Sequence, residues 1–406
     1  MIVNVEDWRR PQFNESEELT ANVKEILAHI EKDGDHAIED YSRTFDGFAP
    51  KIIELKPFDE YELEPELAES IKLAARRIEH FALFQKGLIK EQSYDDDYGS
   101  YSQRINPIER VGAYIPGGRF PLISTALMTL IPARIAGCSV RIASSPSDHP
   151  ALLAAASLAG ATQFRLIGGV QAIGAYAHGY LNQDKVDLIV GPGNAWVNEA
   201  KNQCQGKIKI DGLAGPSELL ALCDGDQPIE WLAYDALAQA EHDPNACSLI
   251  ASDDKAWLEK LHQHLSASPE GQQLIEKRQV DLIYAKSAPR LQSFAEFYAA
   301  EHLMLCHKNI SADDLTNYGS LFVGANSAVA LGDYISGPNH TLPTLGYARQ
   351  TGGLNVNTFL RVMTVQEIND EGRNSLCKAA MPLAEAEGLT NHFESMKVRL
   401  DDEMSD

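Results

Sequence analysis

From residue 110 to residue 323 the chain alternates short apolar runs with longer segments of helical periodicity, and this rhythm most constrains its fold. Strands separated by helices lie parallel, because each helix carries the chain back to the starting edge of the sheet. The expected strands of a first run are Arg110–Ile115, Ser139–Ala143, Phe164–Ile167 and Val186–Val190, with helices over 122–136, 150–159, 170–178 and 195–203. A second run begins after Pro216, with strands Glu218–Leu222, Cys247–Ala251, 280–285 and 320–323 and helices over 228–242, 254–265 and 288–299. The pattern predicts an α/β protein of two doubly wound, incomplete Rossmann-like domains with a helical C-terminal tail. The expected domains are residues 1–110 together with 219–355, then 111–218, then the tail over 356–406. The two similar units are compatible with an old duplication, although no sequence repeat supports one.

Residues 15–90 carry a helical stripe, Val23, Ile26, Leu27 and Ile30, behind a possible capping box of Asn14 and Glu17. These N-terminal helices are grouped with the 219–355 unit. A polar patch from Tyr94 to Ser102 then suits a hairpin. The tail reads as a helix over 373–387 that stops at Gly388, which tolerates a left-handed residue. A new helix starts near Asn391, with Glu394 three residues on.

The formal net charge of −23 repels phosphate backbones and anionic lipid. Nucleic-acid and membrane partners are therefore not expected, and the charge itself suits solubility. Cys138, Cys204, Cys223, Cys247, Cys306 and Cys377 form no CxxC and several sit in apolar runs, as reduced core thiols do. No basic segment leads into an apolar stretch at the N-terminus, and no apolar run reaches about 18 residues. A cytoplasmic protein is the expectation.

Several short motifs carry groups capable of chemistry. In Gln239-Ala-Glu-His242 the amide and imidazole share one helical face and can ligate a divalent metal; the same spacing suits a solvated helix end. In Glu301-His302 a carboxylate and an imidazole follow a helix, where a turn can bring both to one site; a charged helix cap reads the same way. The loop from Gly332 to His340 holds Asp333, Asn339 and His340, although Asp beside Gly is also ordinary turn chemistry. His392 lies in the first turn of the last helix, whose dipole favours the neutral, metal-binding imidazole; a solvent-exposed histidine is the plain alternative. Gly168-Gly169-Val-Gln171 and Gly191-Pro-Gly193-Asn194 are glycine turns ahead of helices, where free N–H groups can meet phosphate. Neither fits GxGxxG with an acidic residue about 20 positions on, so the usual dinucleotide fingerprint is missing.

Taken in order, these segments resemble the histidinol dehydrogenase family over nearly the whole chain. The resemblance is carried by Arg110 to Gly118, Leu127 to Gly137, Gly168 to Ile173, Gly191 to Ala195, Ala214-Gly-Pro-Ser-Glu218, Gln239 to His242, Ala300 to Leu303, Gly332 to Thr344 and Glu385 to Gly388. Ile123 and Leu213 depart from proline at positions where it is common in relatives. The resemblance implies oxidation of histidinol to histidine through the aldehyde with two NAD reduced, and a homodimer whose tail is the dimerisation element. It implies one zinc ion per subunit held by Gln239, His242, Asp333 and His392, the last from the partner subunit, and an acid/base pair of Glu301 and His302. Ser217, Gln239, His242, His302, Asp333, His340, Glu387 and His392 would line the substrate pocket. NAD would lie near Tyr114, Gln171 and Asn194, on the 111–218 domain. Other readings are a paralogous zinc/NAD dehydrogenase for a different amino alcohol or polar diol, a zinc hydrolase without NAD, and a binding protein without activity.

Overall fold

The structure is a computed structural model that describes residues 2–10, 16–117, 121–181, 183–213, 215–241 and 243–400. In chain order, strand β1 (Ile2–Asn4) is followed by helices α1 (Glu17–Asp33) and α2 (Asp35–Phe45), strand β2 (Lys51–Ile53), helix α3 (Pro65–Gly87) and the strands β3 (Ser93–Asp96) and β4 (Gly99–Pro107). The first alternating run is β5 (Arg110–Tyr114), α4 (Ile123–Ala136), β6 (Val140–Ser145), α5 (Pro150–Ala159), β7 (Gln163–Leu166), α6 (Gly169–His178), β8 (Leu188–Val190), α7 (Ala195–Cys204) and β9 (Lys209–Ile210). The second is β10 (Glu218–Cys223), α8 (Ile229–Ala240), β11 (Cys247–Ser252), α9 (Lys255–Ser266), α10 (Pro269–Glu276), β12 (Val280–Tyr284), α11 (Ala288–Tyr298), β13 (His302–Cys306), β14 (Ser320–Val323) and α12 (Val329–Tyr334). Strand β15 (Leu360–Ile368) and helices α13 (Asp370–Ala386) and α14 (Thr390–Lys397) complete the chain.

The residues form two compact units. The larger, Met1–Gln85 with Ile108–Phe359, holds two six-stranded sheets in the orders β2-β7-β6-β5-β8-β9 and β1-β12-β11-β10-β13-β14. Within each alternating run the five strands lie in the order third, second, first, fourth, fifth, and one N-terminal strand is added beyond the third. All neighbours are parallel except β2, which runs antiparallel to β7. In each sheet the order reverses between the first and fourth strands, β5 with β8 and β10 with β13. Such a switch point opens a crevice, because the flanking crossovers leave in opposite directions.

Helix α1 is capped by Ser16, whose hydroxyl accepts from the Leu19 N–H at 3.3 Å; Asn14 lies outside the described residues. Val23, Ile26, Leu27 and Ile30 pack against Ile142, Val170, Ile173, Tyr176 and Val197. The stripe was expected, but the grouping was not: α1 and α2 cover the 111–218 sheet rather than the 219–355 unit. Glycine explains the fit, since a Cβ at Gly174 of α6 would come within 2.5 Å of Ile30 Cδ1. Its absence lets α1 approach α6 closely.

The smaller unit, Lys86–Pro107 with Leu360–Asp406, contains an antiparallel sheet in the order β15-β4-β3 and the packed pair α13 and α14. The hairpin read from Tyr94 to Ser102 is present as β3 and β4. The all-helical tail needs a correction. Leu360 to Ile368 is a strand that pairs with β4 along its whole length. Val362, Thr364 and Val365 favour extended backbone, and polar neighbours on this exposed strand obscured the alternation. Asn369 then caps α13, accepting from the Gly372 N–H at 2.7 Å.

Candidate active site

Three segments of the larger unit converge at the amino ends of β10 and β13. Helix α11 is followed by Ala299, whose positive φ of 50° turns the chain sharply. Glu301 follows in the turn and His302 opens β13. The sequence reading left Glu301-His302 in a turn and missed β13, a five-residue run of buried residues too short to show periodicity. Strand β10 lies alongside, with Leu219 opposite His302. Glu218, one residue earlier, therefore offers its backbone N–H and C=O to the two side chains. Its N–H donates to Glu301 Oε2 at 2.7 Å, and its carbonyl lies 3.2 Å from His302 Nδ1. A carbonyl only accepts, so this bond places the imidazole proton on Nδ1 and leaves Nε2 as the basic nitrogen.

His302 Nε2 faces Asp333 Oδ1 at 3.8 Å, near the end of α12. Burial pushes the Asp333 carboxyl up to about 7. Burial is also the main cause that holds Glu301 well above the usual carboxylate range; the Glu218 N–H opposes it, and the charges of Glu218 and Asp333 add to it. His340 donates from Nδ1 to the Asp333 carbonyl at 2.8 Å, and its Nε2 lies 3.4 Å from Thr125 Oγ1. A cavity of about 260 Å³ opens beside these groups, bounded among others by His302, Phe322, Asn326, Gly332 and His340. Gly332 lets the Phe322 ring pack against α12, because a Cβ there would meet that ring at 2.6 Å.

Helix α8 packs against α12 and carries Gln239 in its last turn. Gln239 is buried, and its amide nitrogen has no hydrogen-bond partner. A buried amide without a partner costs free energy, and so does a buried carboxylate. Amide oxygen and nitrogen are interchangeable by a flip, so Gln239 and Asp333 fit a cation bound by nitrogen and oxygen ligands. His242 lies outside the described residues. Among the described residues no three His, Cys, Asp or Glu side chains gather as a metal site. Ser217 immediately precedes β10 and accepts from the Cys247 N–H through its carbonyl at 2.9 Å. Glu387 and His392 belong to the smaller unit, where both are exposed, at the end of α13 and the start of α14.

Tyr114, Gln171 and Asn194 gather at the opposite kind of edge, beyond the carboxyl ends of β5, β7 and β8. This is the switch point of the first sheet, where open parallel sheets ordinarily take their ligands. The Tyr114 hydroxyl accepts from the Gly169 N–H at 3.3 Å, and burial raises its pKa to about 12. Gln171 Nε2 donates to Asp46 Oδ2 at 2.9 Å, which also accepts from the Gly168 N–H. Asn194 caps α7 by accepting from the Val197 N–H at 3.1 Å.

Sequence reading missed Asp46 and an ion pair beneath the Gly191 turn. Lys201 Nζ donates to the Gly191 carbonyl at 2.9 Å and lies 2.5 Å from Asp211 Oδ1, with both side chains at most 2% exposed. Asp211 Oδ2 accepts from the Gly191 N–H at 2.7 Å. Removing one partner strands the other charge in the interior. Lys201→Met is expected to lower unfolding free energy by about 3–5 kcal/mol, read from denaturant midpoints; a loss under about 1 kcal/mol would contradict the burial argument. A helix face shows Lys201 as polar, and only the fold reveals that it points inward.

No helix among the described residues is long and apolar enough to cross a membrane. The family model for histidinol dehydrogenase matches residues 9–400. Histidinol dehydrogenase from Thermus thermophilus is 39% identical over 391 residues, covering 93% of each chain. Its counterpart from Methanococcus maripaludis is 39% identical over 398 residues, covering 94% of this chain and 93% of its own. A solved structure of histidinol dehydrogenase from Elizabethkingia anophelis superposes with a TM-score of 0.88 at 33% identity, covering 96% of this chain and 94% of that one. With match lengths close to the whole chain in sequence and in fold, the chain belongs to the histidinol dehydrogenase family.

Proposed function

We propose that the protein oxidises L-histidinol to L-histidine through histidinal, as a zinc-dependent enzyme that reduces two NAD. The observation that carries this reading is the juxtaposition of Glu301 and His302 on the backbone of Glu218, with Asp333 facing His302 Nε2. Gln239 and Asp333 would hold the zinc with His242 and with His392 of a partner subunit, and Tyr114, Gln171 and Asn194 would hold NAD. When bound, zinc would supply a positive centre for orienting the amino alcohol, and NAD would supply a hydride acceptor.

The chain's own groups divide the proton chemistry between them. His302 Nε2 takes the hydroxyl proton during the first oxidation, since its other nitrogen is committed to the Glu218 carbonyl. Glu301, raised in basicity by burial, takes a proton from water as the water oxygen adds to the aldehyde carbon, and His302 returns its proton to the aldehyde oxygen, which gives the hydrate. His302 then accepts the hydroxyl proton of the hydrate in the second oxidation. Ser217, His340 and Glu387 would complete the pocket around the substrate's polar ends. The exposed Glu387 and His392 make a dimer with a shared site part of this proposal.

The test is NADH formation by the zinc-loaded protein with histidinol against a panel of other amino alcohols and diols. The highest kcat/KM is expected for histidinol. A higher value for another alcohol would assign a paralogous substrate, and no NADH with any alcohol would contradict the dehydrogenase reading.

A further inference from the structure

We infer that Glu218 and Arg10 are positioning residues for the acid/base pair, an inference that rests on the catalytic roles proposed for Glu301 and His302. The backbone of Glu218 bonds to both, through its N–H to Glu301 Oε2 and through its C=O to His302 Nδ1. Beside the sheet pairing of β10 with β11, the Glu218 side chain ties down this backbone. Glu218 Oε1 pairs with Arg10, and Oε2 accepts from the Leu345 N–H at 3.2 Å. The Glu218 side chain is 4% exposed and that of Arg10 23%, so the pair has its carboxylate in the interior and its guanidinium part-buried.

Arg10 ties a second segment to the same point. It donates to the Tyr298 carbonyl, and its guanidinium lies 4.1 Å from the centre of the Tyr298 ring. Tyr298 ends α11, just before the turn that delivers Glu301 and His302. One guanidinium thus fixes the strand that carries the Glu218 peptide and the helix end that carries its two partners. A planar, multiply donating group suits this task better than an ammonium. The consequence is chemical: the Glu218 carbonyl keeps the proton of neutral His302 on Nδ1, so Nε2 is basic and directed toward Asp333.

The experiment uses the full-length, zinc-loaded protein and the variants Glu218→Gln, Arg10→Met and Arg10→Lys. For Arg10→Met, kcat per bound zinc should fall roughly 10- to 100-fold, as when outer partners of a catalytic group are lost. KM for histidinol and zinc content should stay within about threefold, because no group proposed to hold substrate or metal is altered. Glu218→Gln, which keeps its shape and an acceptor for Leu345, should fall less, and Arg10→Lys should recover part of the rate. Nitrogen NMR of ring-labelled histidine, with His302 assigned through His302→Gln, should show the Nδ1–H tautomer in the wild type and a mixture in Arg10→Met. The NMR arm needs no substrate, so it decides the positioning role even if the wild type fails to oxidise histidinol. An unchanged kcat per zinc with an unchanged tautomer overturns the inference. So does a loss of activity that tracks only the unfolded fraction or the zinc content.

Discussion

Glu301→Gln is expected to oxidise histidinol to the aldehyde and to stall there. Glu301 is buried, and one of its oxygens is committed to the Glu218 N–H at 2.7 Å. The amide of glutamine can accept that same bond, so the turn and His302 should keep their places. What glutamine cannot do is take a proton from water. Loss of one positioned base typically removes a factor of about 10²–10⁴, so the second half-reaction should fall by that order. The first half-reaction depends on His302 and should fall by less than about tenfold. Rapid-mixing measurement would resolve one equivalent of NADH formed at near-normal rate, with the aldehyde captured by a carbonyl reagent. Equal loss in both half-reactions would remove the role given to Glu301.

Asp333→Ala should separate metal binding from folding. In the metal-free protein Asp333 is a half-buried carboxylate whose pKa desolvation raises to about 7. Its removal relieves a desolvation cost, so the metal-free variant should be at least as stable as the metal-free wild type, by roughly 0–2 kcal/mol. Zinc should invert the order. A ligand that binds only the folded state adds about 2.7 kcal/mol at 100 times its Kd, and the wild type should gain that much while the variant gains little. Activity should fall by on the order of 10²-fold or more with the bound zinc. Thermal unfolding with and without zinc, beside a zinc assay, reads both effects. A variant that retains zinc and shows the same zinc-dependent stabilisation would exclude Asp333 as a ligand.

The two alternating runs were legible because their strands are flanked by glycine, proline and helical stripes. Arg110–Tyr114, Pro150–Ala159 and Ser320–Val323 emerged close to where their residue types place them. Strand β13 was not legible, since His302-Leu-Met-Leu-Cys306 has no alternation and follows a helix end. Strand β15 was hidden by the polar residues of its exposed face, and β1, β2 and β9 are too short to carry a pattern. Nothing local indicated that α1 would pack on α6, a choice made by the missing Cβ of Gly174.

The site divides in the same way. Glu301, His302, Asp333 and His340 are joined by direct bonds or close approach, and each belongs to a motif visible in the chain. Glu218 stood inside a motif but read only as the start of a strand. Its importance lies in its peptide groups, which no side-chain pattern displays. Arg10 and Asp46 act across 208 and 125 residues of chain, respectively, so only the fold brings them to their partners.

The most direct test of the account counts electrons. Zinc-loaded protein supplied with limiting histidinol and excess NAD should form two NADH for each histidine recovered, with no aldehyde left over. One NADH per histidinol with the aldehyde as final product, or histidine formed without NADH, would contradict a single site that carries out both oxidations.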